Sequence, residues 1–197
     1  YSGNGIDTSA WKNKLGVSSG GIINTGTGTD STAVGVNNIA KGNSSSAFGY
    51  RNEASEVNSS AFGYFNSANG RNSSALGQAN TASGENGSAF GYFNNATKEN
   101  SSAFGHWNKA KGKNSSAFGF HNTASGKFSS AFGFRNIASK LRSSAFGTGN
   151  KADGEDSSAF GSLNIASGKF SSAFGSQYEV TGNSSGAFGV GEFNGSY

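Results

Sequence analysis

The sequence predicts an all-β solenoid built from stacked coils of 14 residues, and three observations predict it. The chain contains 17 Phe, which argues against disorder although only 33% of its 197 residues are hydrophobic. A coil of this length is too short for a two-helix unit, and Gly and Asn recur where they would break helices. Ala is followed two residues later by a Gly that recurs every 14 residues without insertion or deletion, at Gly35, Gly49, Gly63, Gly77, Gly91, Gly105, Gly119, Gly133, Gly147, Gly161, Gly175 and Gly189.

Residues 1–16 precede the repeats, and we expect them to cap the open end of the solenoid. Asp7 or Thr8 can cap a short helix that Gly16 ends, and Trp11 and Leu15 can cover the first coil. The repeats themselves are expected over residues 17–176, because residues 21–28 already fit the register as a worn copy.

Within each coil, Ser-Ala-Phe has the alternation of a β-strand, and the stretch after the Gly forms a second strand or a turn. We expect the Phe side chains to point into the roll and stack as ladders, which leaves a stripe of Ala outside for close contact between subunits. The predicted structural core therefore consists of Phe48, Phe62, Phe90, Phe104, Phe118, Phe132, Phe146, Phe160, Phe174 and Phe188.

Fixed Gly and Asn positions predict the corners of the coil. The closing Gly, and a second Gly seven residues later, suit a positive φ or a close approach of two backbones. Glu56, Lys98 and Lys140 replace the second Gly, so that position does not strictly need a positive φ. The Asn that recurs from Asn38 to Asn164 suits either a left-handed conformation or a hydrogen bond to a neighbouring backbone group.

The pattern fades over residues 177–197. Tyr178 and Glu192 occupy the Asn position and Val180 occupies the Ala position that lies two residues further on. We interpret these last copies as degenerate repeats that approach a neck.

Composition and motifs predict no enzyme and no catalytic, cofactor or metal site. The chain has no Cys, which removes disulfides, thiolate catalysis and Cys-based metal sites. His106 and His121 lack a third ligand at a matching position, and the Ser residues form a ladder without a His/Asp partner. The net charge is +4 with Lys and Arg spread over the repeats, so no nucleic-acid partner is expected, and no apolar run is long enough for membrane insertion.

The two residues after each closing Gly vary from coil to coil, and aromatic residues cluster there in the middle of the chain. They either fill the groove between protomers or form an exposed aromatic platform for a host protein. Strand alternation favours the second residue of each pair as the more exposed one, which makes Phe65, Phe93 and Trp107 the sharper candidates. The candidate partner-binding residues are Arg51, Tyr64, Phe65, Tyr92, Phe93, His106, Trp107, His121 and Arg135.

The stretch from Asn114 to Gly119, with Ala124 and Gly126, resembles the 14-residue repeat in the heads of trimeric autotransporter adhesins of the YadA type. It departs from that repeat at Ser116, Phe118 and Asn122, without a change in spacing. The resemblance implies a left-handed parallel β-roll assembled as a homotrimer. It also implies a virulence-associated adhesin of the type V secretion route, on the surface of a Gram-negative bacterium, anchored in the outer membrane by a region not present in this chain.

What the resemblance implies about function is attachment to a host matrix protein (collagen, fibronectin or laminin) or to a host cell-surface receptor, through many non-covalent contacts. Two alternatives remain open: self-association of bacteria in a biofilm, and a passive spacer that holds another binding site away from the cell.

Overall fold

The computed structural model describes residues 24–189, which form 24 short strands and no helix. Each full 14-residue coil contributes one strand of five residues and one of two residues, and the last strand has three. In chain order the strands are β1 (Thr25–Gly26), β2 (Thr32–Val36), β3 (Ile39–Ala40), β4 (Ser46–Tyr50), β5 (Glu53–Ala54), β6 (Ser60–Tyr64), β7 (Ser67–Ala68), β8 (Ser74–Gln78), β9 (Thr81–Ala82), β10 (Ser88–Tyr92), β11 (Asn95–Ala96), β12 (Ser102–His106), β13 (Lys109–Ala110), β14 (Ser116–Phe120), β15 (Thr123–Ala124), β16 (Ser130–Phe134), β17 (Ile137–Ala138), β18 (Ser144–Thr148), β19 (Lys151–Ala152), β20 (Ser158–Ser162), β21 (Ile165–Ala166), β22 (Ser172–Ser176), β23 (Glu179–Val180) and β24 (Gly186–Phe188).

The strands form two parallel 12-stranded sheets, one from the odd-numbered strands (the short sheet) and one from the even-numbered strands (the long sheet). Every strand pairs with the strand two places along the chain in a register of 14 residues, so that Phe118 lies beside Phe132 and Ala124 beside Ala138. This arrangement confirms the predicted all-β parallel solenoid. The worn first copy is confirmed where it is described, because β1 pairs with β3 in the same register.

The core of the roll consists of Ala, and the prediction that Phe points inward is wrong. Ala from both sheets forms one fully buried cluster that runs from Ala40 to Ala173 and ends at Val180. The coil is too narrow for larger apolar side chains, because Asn and Ser fill the rest of its interior. The side chains assigned to the core lie instead on the outer face of the long sheet, partly exposed: Phe48, Phe62, Phe90, Phe104, Phe118, Phe132, Phe146, Phe160 and Phe174, with Phe188 exposed at the end.

The predicted stacking of Phe from coil to coil is confirmed, but on the outside. Neighbouring rings from Phe90 to Phe188 stack with centroids 4.7–5.1 Å apart, close to the spacing of hydrogen-bonded strands. Phe48 and Phe62 form a second stack, and Leu76 separates the two. We call this row of rings the Phe ladder.

Buried Asn side chains join the coils along the interior. The Asn108 Nδ2 group donates to the carbonyl oxygen of Phe104 (2.8 Å), to that of Gly119 in the next coil (2.6 Å) and to Asn94 Oδ1 in the previous coil (3.0 Å). Its Oδ1 accepts the backbone N–H of Asn122 at 3.0 Å. The same bonds recur from Asn38 to Asn164, and none of these Asn residues has a positive φ. Of the two readings of this Asn, the structure therefore supports hydrogen bonding to backbone.

The closing Gly is required for two reasons at once. Gly119 has φ 113°, a conformation that side chains disfavour, and a Cβ on it would overlap the Gly133 carbonyl oxygen of the next coil. The second Gly serves close approach alone: Gly126 has no positive φ, and a Cβ on its backbone would overlap the Lys140 carbonyl, whereas Glu56, Lys98 and Lys140 are accommodated at this position in other coils. The expectation that this second position does not need a positive φ is confirmed.

Some expectations fall outside the described residues. They are the N-terminal cap and its helix over residues 1–16, the part of the worn copy before Asn24, and Glu192. At the other end, the roll continues through the first degenerate copy. The Tyr178 backbone N–H still bonds to Asn164 Oδ1 at 3.0 Å, although Tyr178 adds no amide to continue the ladder. The boundaries at residues 17 and 177 stay predictions.

Candidate binding surface at the aromatic corner

The variable pair after each closing Gly forms one corner of the roll, where the chain turns from the long sheet to the short sheet. The second residue of each pair is left-handed in every described coil, with φ between 52° and 65°. The fold imposes this conformation, because its backbone N–H bonds to the first residue of the pair one coil earlier, as Trp107 does to Tyr92 at 2.9 Å. None of the residues at the position is β-branched, as a left-handed conformation requires: they are Asn37, Arg51, Phe65, Ala79, Phe93, Trp107, His121, Arg135, Gly149, Leu163 and Gln177.

This left-handed corner displays large aromatic side chains to solvent. Phe65 is 41% exposed, Phe93 44% and Trp107 42%. The expectation that the second residue of the pair is the more exposed holds where Tyr50 precedes Arg51 and where His106 precedes Trp107, but Tyr64 is slightly more exposed than Phe65. A left-handed corner turns both side chains outward, which simple strand alternation does not anticipate.

The aromatic side chains form two clusters along the corner. In the first, Tyr50 stacks on Tyr64 with centroids 5.1 Å apart, and the Phe65 ring meets Tyr64 edge-on at 4.6 Å. The Arg51 guanidinium lies over both the Tyr50 and the Phe65 rings, 5.3 and 5.2 Å from their centroids. Gln78 and Ala79 occupy the next coil and end this cluster.

The second cluster runs over four coils from Tyr92 to Arg135. Its outermost row consists of Phe93, Trp107 and His121, with centroids 5.3 and 5.8 Å apart and the indole nearly parallel to the imidazole.

A second row, formed by the first residue of each pair, lies beside the outermost one. His106 meets Tyr92 and Phe120 edge-on, each at 4.8 Å, and Phe120 stacks on Phe134 at 5.4 Å. The structure thus brings together Tyr92, Phe93, His106, Trp107, His121 and Arg135 in one surface, and keeps Arg51, Tyr64 and Phe65 as a separate one.

A family model of the YadA head domain repeat matches nine overlapping segments of the chain: 27–52, 54–80, 68–94, 82–106, 96–122, 110–136, 124–150, 138–164 and 152–177. The chain belongs to the YadA head repeat family. It is thus an adhesin head domain of a surface-exposed kind that is known for binding and not for catalysis. In a search of individual curated proteins, none matched the chain.

Over residues 24–189 of the YadA-type head, the side chains able to bind a metal ion lie apart from one another. No three His, Cys, Asp or Glu side chains in that range come close enough to hold a metal ion. His106 and His121 make ring contacts with their aromatic neighbours, so they contribute to the packed surface. Within the described part of the chain, no helix has the length and the apolar character needed to span a membrane.

The opposite corner of this head carries exposed side chains that the sequence analysis missed. Nine residues after each closing Gly the chain is again left-handed, and five consecutive coils place an Asn there, from Asn58 to Asn114. Phe128 and Phe170 replace this Asn and are 48% and 54% exposed, each with a Lys ammonium 5.1 Å from its ring. The available signal at this corner was the replacement of Asn within a row of Asn residues. At the aromatic corner the corresponding signal was the variation of the pair from coil to coil.

Ion pairs between neighbouring coils also lie near this opposite corner. The Arg142 guanidinium donates two hydrogen bonds to the Asp156 carboxylate, which lowers the pKa of Asp156 and raises that of Arg142. A hydrogen bond from Ser55 and the ammonium of Lys41 lower the pKa of Glu53.

Asp153 belongs to a third such group. Burial raises the pKa of Asp153, but hydrogen bonds from Lys151 and Ser139 lower it by more. These carboxylates are therefore ionised at neutral pH and paired with cations.

Proposed function

We propose that this head assembles as a homotrimer and attaches bacteria to a host matrix protein or a host cell-surface receptor through the aromatic corner. The observation that carries the proposal is the row formed by Phe93, Trp107 and His121. These rings are exposed, are packed against each other, and stand on a roll whose own core is Ala. Large aromatic side chains that hold no core together are typical of the anchors of protein interfaces.

The Phe ladder supports the trimer. Its rings lie on the outer face of the long sheet and stay partly exposed in a single chain. Covering them gains about 25 cal/mol for each Å² of apolar surface removed from water. A roll with only Ala and polar side chains inside has a small apolar core, and small cores are often completed by oligomerisation. A homotrimer is also the assembly that the family implies.

The mechanism we infer is multivalent contact. A trimer carries three aromatic corners, each with two clusters separated along the rod, so one head can engage several sites on an extended or clustered ligand. Individually weak contacts then combine through a high effective concentration, provided that the geometry allows simultaneous engagement.

A solid-phase binding screen of the 197-residue chain tests the proposal against collagen, fibronectin, laminin and purified adhesion receptors. We expect saturable binding to at least one of them, and a loss of about tenfold or more in affinity for the variant Phe93→Ala/Trp107→Ala, as truncation of two anchor residues predicts. Ala79 shows that Ala is accommodated at this left-handed position.

The matched control is Leu163→Ala. Leu163 occupies the same position in a later coil, is 54% exposed and has no aromatic neighbour at the corner. Its truncation should leave binding unchanged. Equal binding by the double variant and the native chain, with both trimeric by light scattering, would overturn the role of the aromatic corner.

Two other results would replace the proposed function. Clumping that depends on head concentration, without binding to any host protein, would indicate bacterial self-association. Absence of both binding and clumping would indicate a passive spacer. Dissociation of the trimer on truncation of Phe93 and Trp107 would show that these rings fill the groove between protomers.

A further inference from the structure

Positive charge is concentrated in one part of the rod. Residues 98–142 contain eight Lys and Arg residues and one acidic residue, Glu99, whereas the rest of the chain contains seven basic and ten acidic residues. The even spread over the repeats that the sequence suggests therefore does not hold when charge is followed along the rod. Six of the eight are lysines, which we call the basic band: Lys98, Lys109, Lys111, Lys113, Lys127 and Lys140.

The basic band lies on one side of the roll, away from both the Phe ladder and the aromatic corner. Lys109 belongs to β13 of the short sheet, beside the buried Ala110, and Lys111 follows that strand directly. Lys98, Lys113, Lys127 and Lys140 lie in the turns that lead from the short sheet back to the long sheet. All except the partly exposed Lys109 are exposed. Association through the Phe ladder would leave this side open to solvent.

Coil stacking sets the spacing of the band. Lys113 and Lys127 occupy the same position in adjacent coils, which stack about 4.8 Å apart in parallel sheets. Lys98 and Lys140 occupy one position three coils apart, so the band extends over about 14 Å along the rod. Regular placement of this kind suits a linear partner with charges at short, repeated intervals.

Most ammonium groups of the band are free of carboxylates. The ion pairs of residues 24–189 involve Lys41, Lys151, Lys169 and Arg142, and from the band only Lys113, which pairs with Glu99 at 2.6 Å. The acids that follow the band are already occupied, since Asp156 binds Arg142 and Glu155 lies near both Arg142 and Lys169. The positive charge of the band is thus left for an external anion.

We propose that the basic band binds a linear sulfated polysaccharide of the host surface, at a site separate from the aromatic corner. Lysines are compact point charges on flexible stems, so they suit closely spaced sulfates better than a rigid bidentate contact does. A duplex nucleic acid is less suited, because proteins that recognise a DNA sequence place a helix, a β-ribbon or an extended arm in a groove of the duplex. Successive turns of the described roll have equal length, so none projects in that way.

Immobilised heparin is the probe, and the repeat provides substitutions that the fold already accepts. The band variant is Lys109→Thr/Lys111→Ser/Lys127→Asn, because Thr123, Ser125 and Asn43 occupy the same three positions in other coils. The control variant is Lys151→Thr/Lys41→Ser/Lys169→Asn. It changes the same three positions by the same net charge, but each of its lysines is paired with an acid.

At 50 mM salt we expect the band variant to bind heparin about tenfold or more weakly than the native chain, and to show a shallower fall of affinity with salt, because fewer counterions are released. The control variant should change affinity by less than about threefold, since its lysines are already neutralised by partners. The variant Phe93→Ala/Trp107→Ala should bind heparin as the native chain does, which separates this proposal from that for the aromatic corner.

Three outcomes would overturn the proposal. Equal losses for the band and control variants would show a general effect of net charge. Unchanged binding to chemically desulfated heparin would show that sulfate is not recognised. Binding of duplex DNA or of phosphatidylserine vesicles with affinity equal to that for heparin would assign the band to another class of polyanion.

Discussion

Between one coil and the next the interior of this head hardly changes, whereas its corners do. Ala103 is followed by Ala117 and Asn108 by Asn122 in the same buried positions, but at the aromatic corner Trp107 is followed by His121. The interior has room for one small side chain at each position, so geometry fixes the residue there. At the corners the fold fixes only the backbone conformation, so the side chain can vary and can contact a binding partner.

The Phe ladder lies between these two cases. It is nearly as regular as the interior, yet it accepts Val34 and Leu76 and stays partly exposed. Its regularity follows from ring stacking between coils, because lack of space does not constrain an outer face. A residue type that recurs in every coil therefore marks a position with a structural role. Whether that position is buried or on the surface is shown by how far the size of its side chain varies between coils.

The largest effect is expected for Gly119→Val, which puts a side chain where the backbones of two coils lie against each other. A Cβ would overlap the Gly133 carbonyl oxygen in a left-handed conformation, so we expect a loss of at least about 3 kcal/mol in the free energy of unfolding, measured with urea. The control is Gly149→Asn, at the variable corner, where φ is 65°, Asn is tolerated and a Cβ would meet only the flexible end of the Leu163 side chain. Comparable losses for both would contradict the contrast between positions of close backbone contact and the variable corner.

Asn108→Ala should cost about 2–4 kcal/mol in the free energy of unfolding, because it leaves the partly buried carbonyl oxygens of Phe104 and Gly119 without this donor and the buried N–H of Asn122 without its acceptor. The matched control is Asn69→Ala, which removes an exposed amide that donates to Ser67 Oγ at a position without a positive φ, and should cost less than about 0.5 kcal/mol. Urea unfolding measures the loss of free energy of unfolding for both variants. Equal losses would contradict the view that the buried Asn residues stabilise the roll more than the exposed ones do.

Phe118→Ala tests the intermediate case. Loss of one ring from the Phe ladder should lower the free energy of unfolding by about 1–2 kcal/mol, since the ring is only partly buried and stacks on Phe104 and Phe132. Phe118→Leu should cost less than Phe118→Ala, because Leu76 already occupies this position in another coil. Measuring the melting temperature as a function of protein concentration shows in addition whether the ladder contributes to association.

At the aromatic corner the backbone is the constraint, and two substitutions of Trp107 separate it from the side chain. Trp107 has φ 60°, so Trp107→Val should be less stable than Trp107→Ala by about 1 kcal/mol, because a β-branched residue resists a left-handed conformation. Thermal unfolding of the two variants measures the difference. Equal stability would mean that the corner relaxes out of this conformation when the indole is absent.

The smallest effect is expected for the ion pair between Arg142 and Asp156 on the opposite corner. The pKa of Asp156 in the folded protein lies below its usual value, because Arg142 donates hydrogen bonds to the carboxylate. The ion pair therefore contributes its full stabilisation when the pH is above the usual pKa of Asp. This contribution is lost as the pH falls through the lowered pKa of the folded protein. The variant Asp156→Asn, which restores the Asn of other coils, should show a weaker loss of melting temperature between neutral pH and pH 2 than the native chain. Parallel pH profiles would show that the exposed pair does not contribute.

Much of the fold could be predicted from the sequence, because a repeat without gaps fixes the length of the coil and the register of both sheets. The direction of Ser-Ala-Phe could not be predicted by hydrophobicity, since an alternating strand has two possible orientations and the larger apolar residue was the wrong guide. A better signal was present: Ala precedes position 118 and its equivalents in all copies, while the Phe position varies in size.

The candidate site was predictable to a similar extent. The variable pair marked the aromatic corner, because variation within a strict repeat is visible without a structure. The two clusters were not predictable, since the contact between Phe93 and Trp107 depends on rotamers. Phe128 and Phe170 were missed because they interrupt a different row, the exposed Asn residues, that the sequence analysis did not follow.

Within residues 24–189, each coil of this head contacts only the coil before it and the coil after it, through strand pairs of the same register. Loss or duplication of a whole repeat in the gene would therefore leave the remaining strands paired in the same register. The length of the rod can change in steps of about 4.8 Å, while the corners carried by each coil move with it. Recombination between near-identical repeats would thus adjust how far a bacterium reaches, and how many partner-binding coils it presents, without a new fold.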